Sequence, residues 1–135
     1  MPVPFLTKSD FKIAYTCASK LYYRKKAYLS TLEDNDYLKF LADSGFMVET
    51  LAKAQYPQGI DLLEERDPRR AFERTRELIE RADNSVIFEA AALFGKFYAR
   101  VDILRRDGKT LHLIEVKPSS VDGEEGIAAL RGTGR

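Results

Sequence analysis

The chain has 135 residues, a formal net charge of +1, 44% hydrophobic and 32% charged residues. That is enough for one domain with a real core and too little for two. The near-neutral balance excludes nucleic-acid binding through a whole-molecule field, so any such contact needs a local basic patch. Cys17 is the sole cysteine and His112 the sole histidine, which excludes an internal disulfide and a self-contained structural zinc site. No run approaches the roughly 18 to 20 apolar residues needed to cross a bilayer. "MPVPFLTKSD" lacks the charged and apolar regions of a secretory signal, so the expectation is a cytoplasmic protein without a membrane partner.

In chain order, Ser9 or Thr7 caps a first helix in which Phe11, Ala14, Tyr15, Ala18, Leu21 and Tyr22 recur at helical spacing. Its basic last turn, "YYRKK", suits the helix dipole. Asp34 or Asn35 caps a second helix with Tyr37, Phe40, Leu41, Ser44, Val48, Leu51 and Ala52 on one face, stopped by "YPQG". "IDLLEER" reads either as a short strand or as a connector. Asp67 followed by Pro68 opens a third helix whose apolar stripe is Ala71, Phe72, Thr75, Leu78, Ile79 and Ala82.

Three strands follow, "SVIFEAAALF", "FYARVDILRR" and "TLHLIEVK", joined by "GK" and "DGK". Links this short force antiparallel neighbours. The predicted fold is α+β, with N-terminal helices packed on a three-stranded antiparallel meander. Residues 1–120 form the expected single domain. The stretch 121–135, with no convincing periodicity in "VDGEEGIAALRGTGR", reads as a poorly structured or truncated tail that leaves the fold incomplete.

The last two strands carry charges in an apolar setting: Asp102 among Val101, Ile103 and Leu104, then Glu115 and Lys117 around Val116. A charge there costs several kcal/mol unless it is paired. An Asp107-Gly108 turn puts Asp102 opposite Leu113 with Glu115 diagonal to it; a Gly108-Lys109 turn puts Asp102 opposite Glu115. Either even loop gathers Asp102, Glu115 and Lys117 on one face, whereas a three-residue loop separates them. Two close carboxylates are tolerable around a divalent cation, and hard oxygen ligands suit Mg²⁺ or Mn²⁺. An adjacent ammonium adds stabilisation of charge on a phosphate. The rival is a structural cluster in which Lys117, helped by Arg100, neutralises both acids. His112 differs in parity from Glu115 and is expected to pack or face solvent rather than ligate.

Asp102, twelve intervening residues and then "EVK" resemble the core of the PD-(D/E)XK nuclease superfamily, in its RecB-like branch. "LTKSDFKIAYTCASKLYYRKK", "FLADSGFMVETLAKAQYPQGI" and "VIFEAAALFGKFYARVDIL" together look like the N-terminal segment of a family of bacterial RecB-like proteins usually much longer than this chain. The resemblance implies a restriction-endonuclease-like core, a metal-dependent DNA nuclease activity, Asp102 and Glu115 as metal ligands and Lys117 as the catalytic lysine. It also places Glu49 where this branch completes the metal site, although Lys53 four residues on makes a surface ion pair an equal reading.

Glu89 within "VIFEAAAL" offers a further carboxylate or an acid that blocks strand pairing. Several RecB-like nucleases hold an iron–sulfur cluster through four cysteines. With Cys17 alone a cluster within this chain is excluded, and Cys17 is expected as a small buried packing residue. Lys20, Arg24, Lys25 and Lys26, interleaved with Tyr22 and Tyr23, form either a nucleic-acid-binding patch or a solvated helix end. The glutamine- and tyrosine-bearing helix that follows the lysine in many RecB-like nucleases has no counterpart in "PSSVDGEEGIAALRGTGR". The competing function is therefore a non-catalytic nucleic-acid-binding or protein-interaction module that keeps the nuclease scaffold.

Overall fold

The computed structural model describes residues 5–28 and 36–118, leaving the side chains at 37, 38 and 41 aside. Asp34, Asn35 and the tail 121–135 lie outside the described residues. In order come β1 (Leu6–Thr7), α1 (Lys8–Thr16), α2 (Ala18–Lys25), α3 (Asp36–Ala54), β2 (Ile60–Asp61), α4 (Pro68–Arg81), β3 (Asn84–Phe94), β4 (Phe97–Asp107) and β5 (Thr110–Ile114). The described fold is thus mixed, with four helices and five strands. Among the described residues no helix is long and apolar enough to cross a membrane.

The meander β3–β4–β5 is antiparallel, as the short links require. The sheet as a whole is mixed, because two-residue strands pair in parallel on its flanks: β2 on β3, and β1 on the start of β4. "IDLLEER" therefore divides, Ile60 and Asp61 forming a strand and the rest a connector. Asp67 caps α4 by accepting from Arg70 N at 2.8 Å, with Pro68 at the first turn. The helix buries Ala71, Thr75 and Leu78. Thr75 Oγ1 donates to Ala71 O at 2.8 Å and accepts from Ala91 N at 2.9 Å, joining α4 to β3.

Two apolar clusters lie on opposite faces of the sheet, because Val86 and Phe88 alternate with Ile87. Ile87, Ala90 and Leu104 pack with Leu62 and Leu78 of the α4 side. Val86, Phe88 and Ile103 pack with Ala52 of α3 and with Tyr56, Ile114 and Val116. Ile87 and Ile103 are the largest fully buried side chains, at 0% and 1% exposure. Each contributes roughly 1.5 to 3 kcal/mol through burial.

The N-terminal segment departs from the predicted single helix. Thr7 is its cap, in a reciprocal box with Asp10: Asp10 N donates to Thr7 Oγ1 at 3.2 Å and Thr7 N to Asp10 Oδ2 at 2.9 Å. The helix then breaks at Cys17, whose backbone is extended at φ −163° and ψ 114°. Thr16 and Cys17 are weak helix formers, and the Thr16 hydroxyl bonds back to Lys12 O at 3.1 Å. Cys17 is exposed rather than a buried packing residue. Phe11, Tyr15 and Tyr22, read from their helical spacing as part of one apolar face, are 69%, 85% and 59% exposed, α1 packing chiefly on α2 and on β1 at the edge of the sheet.

The buried member of this segment is Asp10, 4% exposed and bonded to Lys25 Nζ at 2.8 Å. The Lys25 hydrogen bond, reinforced by the Thr7 amide, holds the Asp10 carboxyl below the usual aspartate range. A depressed folded-state pKa gives stability that is present above the unfolded value and lost as pH falls through the folded one. Urea unfolding across that acid window is expected to show this loss in the wild type and a shallower one in Lys25→Gln. Equal slopes would remove Asp10 from the account.

Candidate functional site

The register of the hairpin is set at its turns. Asp107 pairs with Thr110, so Gly108-Lys109 is the two-residue turn, with Gly108 at φ +58°. Ile103 then pairs with Ile114, and the next step brings Glu115 level with Asp102, one residue past the end of β5. The even-loop condition is met.

A second irregularity sits on the other side of Asp102. Phe88 pairs with Ile103 and Ala90 with Val101, which leaves Glu89 level with Asp102 between two rungs of the ladder. Glu89 has φ +54°, a left-handed conformation that a non-glycine residue adopts at an expense of order 1 to 3 kcal/mol. Core spacing changes there too. Ile87 and Ala90, three residues apart, share one cluster, and Leu104 shares it with Val101, again three apart. Strict alternation would put each pair on opposite faces. Both strands therefore reverse their inward parity across Glu89 and Asp102.

Arg100 holds this reversal in place. Its guanidinium donates to Glu89 O at 2.7 Å, to Leu62 O at 3.1 Å and to Glu65 O. One side chain thus ties the left-handed residue to the connector between β2 and α4. Gly59 lets β2 come this close, since a Cβ there would sit 2.2 Å from the Phe88 ring.

The side chain of Glu89 turns toward α3, where Lys53 is the hub. Lys53 Nζ lies 2.7 Å from Glu49, 3.2 Å from Asp61 and 4.0 Å from Glu89, and 5.5 Å from the centroid of the Phe88 ring. Lys53 and Glu89 are each only 16% exposed. Burial works against the charge on Lys53, but the hydrogen bonds to Glu49 and Asp61 outweigh it and raise its pKa above the ordinary lysine value. Burial pushes the Glu89 carboxyl up, and the charges of Glu49 and Asp102 add to this against the pull of Lys53 and Arg100. Asp102 Oδ2 accepts from Val116 N at 2.6 Å.

Glu49, Glu89 and Asp102 are thus brought into one electrostatic neighbourhood, together with Asp61. Glu49 makes the ion pair with Lys53 that its spacing allows. Glu115 stands apart: its carboxylate pairs with Lys8 Nζ at the start of α1. The Lys8 hydrogen bond holds it below the usual glutamate range, opposed by burial and assisted by the charges of Lys8, Lys117 and Lys12. Lys117 is exposed beside Glu115. Of the alternative structural cluster, Lys117 acts on Glu115 by its charge, whereas the hydrogen bonds of Arg100 go to carbonyl groups. His112 pairs across from Arg105.

Of the four basic residues on α2 and its end, Lys25 is tied to Asp10 and Lys26 lies 5.8 Å from the Tyr22 ring centroid, while Lys20 and Arg24 are exposed. Sequence reasoning missed Asp61 and the central place of Lys53. The Glu49/Lys53 spacing pointed at Lys53, but Asp61 lay in a segment with no decisive pattern.

The donors are hard carboxylate oxygens, the kind Mg²⁺ and Mn²⁺ prefer. Among the described residues no three potential ligands already enclose a metal position. Glu49, Glu89 and Asp102 match the ion in ligand type, and the Lys53 ammonium is the cation set against Glu49 and Glu89. Compared with protein-family models, curated proteins and solved structures, the chain finds no match.

Proposed function

We propose that the chain is a metal-dependent nuclease domain of the PD-(D/E)XK type, in the RecB-like branch, that hydrolyses DNA phosphodiester bonds in the cytoplasm on a restriction-endonuclease-like core. The observation that carries this reading is the left-handed Glu89 level with Asp102, largely covered, pinned by Arg100 and set against Glu49 and Lys53. A strained backbone that gathers poorly compensated acids is a feature stability alone would remove.

Asp102 and Glu49, with Glu89 as an additional acid, would hold Mg²⁺ or Mn²⁺, and Glu115 would join them once released from Lys8. When bound, the ion supplies Lewis acidity at a phosphodiester and offsets its charge. Val116 N fixes the orientation of the Asp102 carboxylate. Lys117 places an ammonium beside Glu115, where it stabilises charge developing on the phosphate. Lys53 keeps the acids together in the absence of other cations.

A non-catalytic nucleic-acid-binding module is the second reading, favoured by the engagement of the Glu115 carboxylate with Lys8. The full chain incubated with labelled single- and double-stranded DNA is expected to give cleavage products with Mg²⁺ or Mn²⁺ and none in EDTA. Intact DNA in every lane, with no heat on titrating either metal, would leave the binding module standing instead.

A further inference from the structure

The Lys8–Glu115 pair docks the first turn of α1 on the end of β5. Lys12 lies one helical turn beyond Lys8 on the same side of α1. Lys117 follows Glu115 by two residues, and the charges of Lys8, Lys117 and Lys12 all act on the one carboxylate that Lys8 contacts. Lys8, Lys12 and Lys117 are all exposed. The Lys8 and Glu115 side chains retain 46% and 40% of their accessible surface, so the pair is open to competition by an external anion. A single carboxylate among three lysines leaves an excess of two positive charges, spaced along a helix turn as successive phosphates of a backbone require.

We propose that Lys8 and Lys12, supported by Lys117, form the phosphate-binding site for a DNA strand, and that a phosphate takes Lys8 over from Glu115. The proposal deepens the nuclease reading and rests on it only for the identity of the polyanion. It relocates the DNA-contacting cations from α2 to α1. It also gives the Lys8–Glu115 pair a purpose, since the acid stays occupied until a strand arrives.

Fluorescence anisotropy with a labelled duplex, on the full chain in EDTA across a salt series, tests both parts without metal. Each lost phosphate contact lowers the salt slope by about 0.9 and the affinity roughly eightfold near 0.1 M salt. Lys8→Gln and Lys12→Gln are expected to show this singly and in combination. Arg76→Gln, on an exposed α4 ion pair, is expected to bind as the wild type does.

Glu115→Gln is expected to tighten binding by about fivefold, and to lose most of that gain in the Lys8→Gln background. An equal gain in both backgrounds overturns the handover. Wild-type slopes in the lysine variants overturn the site, as does a wild type that binds no DNA. Sedimentation with anionic phosphatidylserine vesicles that depends on the same lysines, with DNA binding unaffected, would assign the patch to a membrane surface and overturn the proposal. A wild type that binds DNA through these lysines but cleaves nothing with Mg²⁺ or Mn²⁺ sinks the nuclease reading alone.

Discussion

Asp102→Asn is expected to reduce metal-dependent DNA cleavage by about a thousandfold or more while leaving the thermal midpoint close to that of the wild type. The asparagine keeps an oxygen that accepts from Val116 N, the one hydrogen bond the Asp102 side chain makes among the described residues. What it removes is the negative charge facing Glu89. Losing one preorganised electrostatic contact at a reacting centre typically lowers the rate by about 10² to 10³, and losing a metal ligand lowers it further. Gel-based cleavage and a thermal melt on the same preparation check both halves. A variant that cleaves at the wild-type rate would show that Asp102 serves β5 and not a reaction.

Glu89→Gly is expected to change stability and activity in opposite directions. Glycine adopts φ +54° freely, so the left-handed strain at this position is released. The partly buried carboxyl, disfavoured by burial and by Glu49 and Asp102, goes with it. The backbone entropy of glycine offsets part of the gain, leaving about 1 kcal/mol of net stabilisation. That corresponds to several degrees in the melting midpoint of a domain this size. Cleavage is expected to fall at least tenfold, since an acid beside Asp102 is lost. A stabilised, slowed variant is the signature of strain kept for function; a destabilised one would show that the Glu89 carboxylate is needed beside Lys53 to hold the fold.

Much of the fold is written in local patterns. Asp67-Pro68 and the apolar stripe behind it define α4 because cap, proline and burial all act within a few residues. The two-residue turns define the meander for the same reason. Local reasoning failed where tertiary packing decides. The stripe through Phe11, Tyr15 and Tyr22 has helical spacing, but spacing does not say whether anything covers it, and Cys17 breaks it through a backbone choice invisible in the pattern.

The candidate site divides along the same line. Asp102 and Glu115 stood out as charges in apolar strands, and the Gly108-Lys109 turn was one of two even registers in view. The reversal of parity at Glu89 was hidden, because an alternation test assumes a constant pleat. Lys8 was unremarkable as the residue after a cap. Its partner is 107 residues away, and only the folded chain brings them together.

The Asp102–Val116 hydrogen bond also ends the ladder between β4 and β5. β5 stops at Ile114, and at the level where its ladder on β4 would continue, a side-chain oxygen takes the amide instead of a main-chain carbonyl. Asp102 thus caps a strand as Asp67 caps a helix: in both, a carboxylate oxygen satisfies a main-chain amide where the regular pattern gives out.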